Sequence, residues 1–202
     1  MKNIFFLFFL ISTLSFSQTI TKDSIQIEVV STKFVVDPRL MEFKYFRVRN
    51  NQLRKVKIKA KIESTSENMT RLSAFSLIDT KNKLRYRLAD YAGYIGGVFG
   101  PDLLTYRKSQ IYDKDGDAVK FDPPYGEYEK DYFNDFDIEG YTNIEEPINF
   151  GTTKRPKLSV LFFGETTLRK VTADLYFLLL IDHIDLDYEL YYKDEKVGDI
   201  KF

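Results

Sequence analysis

From Arg54 to Glu63 the chain alternates without a break. Val56, Ile58, Ala60 and Ile62 fall on one side, and Lys55, Lys57, Lys59, Lys61 and Glu63 on the other. A helix, repeating every ~3.6 residues, would scatter these two sets around its axis; a strand sends successive side chains to opposite faces. The segment is therefore read as a half-buried strand, and it needs further strands to cover its apolar side.

The same period recurs. Ile25, Ile27 and Val29 alternate with Gln26 and Glu28, and Asp37-Pro38 breaks the pattern after Phe34-Val35-Val36. Phe43 to Arg49 alternates again, before a turn at Asn50-Asn51. Residues 73–79 and 84–88 read as a hairpin around Asp79-Thr80-Lys81-Asn82-Lys83, with Phe75 and Leu77 inward. Four glycines (Gly93, Gly96, Gly97, Gly100) punctuate 89–101, the mark of a loop or a bulged strand.

Residues 102–150 lose periodicity and hold Pro123-Pro124 and Pro147, which reads as a long irregular insertion with room for a short helix over 102–109. Strands resume at 158–163 and 171–181. The second run is apolar on both sides near Leu178 and Leu180, as a central strand covered on both faces should be. A phase slip at Asp182 marks a bulge or turn, and Lys193-Asp194-Glu195-Lys196 tips a last hairpin that closes with 197–202. Many short strands, few helical patterns and long polar loops predict an all-β protein, a β-sandwich.

The stretches VKIKAKIE (56–63) and FSLIDTKNKLRY (75–86) resemble the immunoglobulin-like domains of unknown function found in bacterial exported proteins and lipoproteins. The run Gly151 to Pro156, leading into 158–163, is similar to that family's later loop and strand. The resemblance implies an immunoglobulin-like β-sandwich and carries over no catalytic residue. Lys83 stands where the family has a turn glycine, and its lipid-bearing cysteine is absent.

Residues 1–18, MKNIFFLFFLISTLSFSQ, carry one charge (Lys2), an apolar block from Ile4 to Leu14, and small residues at Ser15 and Ser17. That is the layout of a secretory signal peptide. The block is short of the ~20 residues that cross a bilayer. The expected arrangement is a leader over 1–18 and a single domain over 19–202, secreted or periplasmic, with no transmembrane segment in the mature chain. The chain has 30 bases and 30 acids, and removing Lys2 with the leader leaves one acid in excess. No net field recruits nucleic acid. With no cysteine, thiol nucleophiles and zinc–thiolate sites are excluded, and burial alone must hold the fold.

Three groups of residues carry the functional expectations. Asp113, Asp115 and Asp117 surround Gly116 and can converge carboxylates on Ca²⁺, although the EF-hand spacing is not met. Residues 113–139 hold ten acids and three bases, interleaved with Tyr125, Tyr128, Tyr132, Phe133 and Phe136. Those rings either bind a sugar or a cationic partner, or pack onto the sheet while the acids stay wet. Residues 47–61 hold seven bases and no acid; Lys55, Lys57 and Lys59 either meet an anionic partner or form a solvated strand face. His183, the only histidine, lies among Asp182, Asp185 and Asp187, a set open to acid–base work without a framed nucleophile. The expectation is a non-enzymatic binding module of the cell envelope, its partner an envelope protein or a glycan. The alternatives are a Ca²⁺-assisted carbohydrate binder and a hydrolase using His183.

Overall fold

The computed structural model describes residues 19–22, 25–35, 39–40, 46–47, 52–64, 70–95, 98–100, 107–112, 118–119, 133–145, 148–149, 154–155, 158–163, 169–183 and 187–202. Sixteen strands are assigned among them. They are β1 (Thr19–Lys22), β2 (Ile25–Phe34), β3 (Arg39–Leu40), β4 (Phe46–Arg47), β5 (Leu53–Ser64), β6 (Phe75–Asp79), β7 (Leu84–Ile95) and β8 (Val98–Gly100). Then come β9 (Arg107–Tyr112), β10 (Ala118–Val119), β11 (Thr142–Ile144), β12 (Ile148–Asn149), β13 (Leu158–Phe163), β14 (Lys170–Leu180), β15 (Tyr188–Tyr192) and β16 (Glu195–Ile200). Short 3-10 turns at Leu72–Ala74 and Ile181–His183 are also found among the described residues. No helix among the described residues is long and apolar enough to cross a membrane.

The main sheet runs β1-β2-β5-β14-β7-β6-β15-β16, antiparallel along this path, with β8 paired antiparallel and β11 paired parallel to β7. A second sheet runs β10-β9-β13-β12, and β3 pairs with β4. The all-β expectation holds, as a large sheet that curls nearly to a closed barrel. The insertion differs from the irregular segment expected of it. It contains β9 to β12, and residues 107–109, placed in a possible helix, belong to β9. That strand is built by pairing with β13, a partner about fifty residues away that local patterning cannot see.

Strict alternation sets the registers. Val56, Ile58, Ala60 and Ile62 stand opposite Phe177, Leu175, Ala173 and Val171 of β14, and all eight are buried. Each large aliphatic there contributes ~1.5–3 kcal/mol by leaving water. β14 also has its outer residues Asp174, Tyr176 and Leu178 buried; of the two outer positions that the apolar pattern singled out, Leu178 is buried and Leu180 half-buried. The shared core continues through Leu88 and Tyr91 of β7, Leu77 of β6, Leu190 and Tyr192 of β15, and Val197 and Ile200 of β16.

β7 serves two sets of neighbours. Its residues 84–87 pair with β6 on one edge, and 84–86 with β11 on the other; beyond them, from Leu88 to Tyr94, it pairs with β14. The change falls at a bulge in which Ala89 is the extra residue, between the Phe177–Leu88 and Tyr176–Asp90 partners. The bulge keeps both Leu88 and Tyr91 inward although they are three positions apart, and it bends the strand.

The curl brings the sheet's two ends together. The Thr32 hydroxyl of β2 donates to the Lys201 carbonyl beyond β16, and the Phe34 and Phe202 rings lie 5.5 Å apart. Phe202 in turn meets Tyr188 edge-on at 5.8 Å.

Candidate functional site

The alternation of β7 puts Arg85 and Arg87 on the outer face, opposite Ile78 and Ser76 of β6. Arginines on an outer face ordinarily reach into water, yet Arg85 is fully buried and Arg87 nearly so. Phe133 is also fully buried, and it lies between them, with the guanidinium carbons 4.0 Å (Arg85) and 4.5 Å (Arg87) from its ring centre. Arg85 donates to the Phe133 carbonyl at 2.9 Å and to the Asn143 side-chain oxygen at 3.2 Å, and Arg87 pairs with Glu145 at 3.1 Å. A planar guanidinium suits this arrangement because it stacks on a ring and still donates in its own plane.

Two lysines on neighbouring turns extend the pattern. The Lys83 ammonium lies 5.0 Å from the centre of the Tyr141 ring, and that of Lys193 lies 5.7 Å from the centre of Phe136. Phe136 is half-buried against the core. Residues 133–141 thus form a strap over the β7-β6-β15 half of the sheet. Its acids Asp135, Asp137 and Glu139 face water, and the Asn143 amide donates to Asp137 at 3.4 Å. Gly140, at φ 80°, takes the left-handed turn that returns the strap to β11.

The lysine row of β5 is largely committed inside the molecule. Lys55 is buried, with its ammonium 5.0 Å from the Tyr176 ring centre, and Lys57 pairs with buried Asp174 at 2.5 Å. Lys59 is half-buried opposite Asp174. Lys61 is exposed and pairs with Glu28 at 3.2 Å; beside it Lys170 pairs with Glu63. These two pairs, with Gln26 and Thr172, line an open groove of about 380 Å³.

His183 sits at the opposite end of β14, in the 3-10 turn that follows it. Its Nδ1 is 3.5 Å from Asp79 Oδ2 and 3.3 Å from the Tyr86 hydroxyl, and its carbonyl accepts a hydrogen bond from the Tyr188 hydroxyl. The carboxylate it meets comes from β6, far away in sequence; Asp182 and Asp187 are exposed, and Asp185 lies outside the described residues. Asp79 is held by the backbone N–H groups of Lys81 and Asn82, at 3.0 and 2.9 Å, and by the Asn82 amide at 2.7 Å, an Asx turn that shapes the β6–β7 connection. Burial first, then the neighbouring Tyr86 and Asp79, push the Tyr188 phenol well above its ordinary value of 10.0.

Asp113, Asp115 and Asp117, and Tyr125, Tyr128 and Tyr132, lie outside the described residues. Among the described residues no group of three or more His, Asp or Glu is gathered as a metal site. Sequence reasoning missed Arg85, Asp79, Lys83 and Lys193 as organisers of these clusters. The signal available was Lys83 itself, standing at a turn position suited to glycine. No family model, no curated protein and no solved structure matches the chain.

Proposed function

We propose that the chain is an exported, non-enzymatic binding module of the cell envelope that offers its acidic, aromatic segment to a basic partner. The observation that carries this reading is the seating of Phe133 between Arg85 and Arg87, with Asp135, Asp137 and Glu139 turned outward. A surface held in place before binding loses little conformational freedom on association. Opposed charge then sets orientation and encounter rate. The lysines of β5 are less suited to an anionic partner, since Lys57 and Lys61 already have carboxylate partners.

Export follows from the leader-like residues 1–18. Immunoglobulin-like kinship belongs to the same proposal. What supports it is the bulge of β7, the kind of corner by which a strand passes between facing layers, together with a core shared by the two halves of the sheet.

The test is fluorescence anisotropy with a labelled oligolysine probe. The triple variant Asp135→Asn, Asp137→Asn, Glu139→Gln should bind about tenfold more weakly than wild type, from ~0.5 kcal/mol per exposed charge. Equal binding by the two proteins, or no binding by either, overturns the reading.

A further inference from the structure

Among the described residues, the non-glycine residues with positive φ are Lys83 at 58° and Lys193 at 57°. Each is the residue of a tight β-turn where glycine is free of the steric penalty that a Cβ brings. Each lies in a different hairpin: Lys83 joins β6 to β7, and Lys193 joins β15 to β16. Nothing in either hairpin ladder calls for a lysine. What the two positions share is the far end of the side chain. Lys83 reaches the ring of Tyr141 and Lys193 the ring of Phe136, two residues of the same strap. Lys193 also lies 5.8 Å from the Tyr192 ring centre.

We infer that Lys83 and Lys193 keep lysine at left-handed turns because they are positioning residues, a pair of clamps holding the two halves of the 133–141 strap onto the sheet. Phe133, seated between Arg85 and Arg87, is the fixed centre, and the lysines secure the segment that follows it. Clamp and turn are separable. Glycine at either position relieves the backbone and removes the ammonium, so the turn improves while the strap loses its hold. Arginine keeps a cation and the same backbone strain. The inference stands whether or not the strap binds a partner.

Hydrogen exchange read by mass spectrometry on the full chain, with thermal melting beside it, tests the pair. Lys83→Gly should quicken exchange around Tyr141, and Lys193→Gly around Phe136, each about two- to fivefold, the worth of an exposed cation–π contact. The melting temperature of both variants should hold or rise. Lys83→Arg and Lys193→Arg should restore slow exchange at the strap. Unchanged strap exchange in both glycine variants overturns the inference. So does faster exchange spread evenly over the sheet with a lower melting temperature, since that reports a weakened fold and not a released strap.

Discussion

At the scale of single residues, the phenol of Tyr188 joins the turn at His183 to the core. It donates to the His183 carbonyl and is almost fully buried. Because burial raises its proton affinity, both folded and unfolded chains hold the proton below pH 10, and only the unfolded chain releases it just above. Stability should therefore fall above pH 10, by up to ~1.4 kcal/mol per pH unit for this one proton. Tyr188→Phe should cost ~1 kcal/mol at neutral pH by removing the hydrogen bond, and should flatten the alkaline limb. Urea unfolding from pH 8 to 12 reads both effects; a wild-type slope retained in the variant contradicts the assignment. The contacts of such residues were poorly legible in the sequence. Asp79 meets His183, and Arg85 meets Phe133, only because distant segments fold together. Lys83 was the exception, visible as a residue out of place in a turn.

At the scale of elements, strict alternation was enough to place β5 and β14 and to divide their inner and outer faces, since period two leaves a strand no other way to bury one set of side chains. It did not disclose what covers the outer set. Lys55 and Lys57 were legible as outward residues, yet they are largely shielded, because β14 supplies Asp174 and Tyr176 beside them. The junction of β2 with the segment after β16 was also hidden, since side chains make it and no ladder announces it. Phe202 is its centre, touching Phe34 and Tyr188. Phe202→Ala should destabilise the fold by ~1–3 kcal/mol, through lost area and two ring contacts. Amide exchange in Val29 to Phe34 should quicken more than exchange in β5. Uniform quickening across both strands would mean that the junction is not a local clasp.

At the scale of the whole molecule, the predicted leader and the observed sheet meet at one boundary: the leader pattern ends at Gln18, and β1 begins at Thr19 and pairs with β2 as far as Glu28. Expression through a bacterial secretory route should yield a periplasmic or extracellular protein whose intact mass lacks residues 1–17 or 1–18; a full-length mass in that fraction would refute export by cleavage. The order of strands has a further consequence. β14 lies between β5 and β7 and is joined to the earlier strands by hydrogen bonds along both edges, while β15 and β16 extend the far side from β6. A chain cut between β13 and β14 would leave a receptor with a slot one strand wide between β5 and β7, which β14 of the second piece fills while its β15 and β16 add to the edge at β6. The protein is thus laid out as a natural two-piece kit, whose reassembly from separately made fragments would report the proximity of whatever is fused to them.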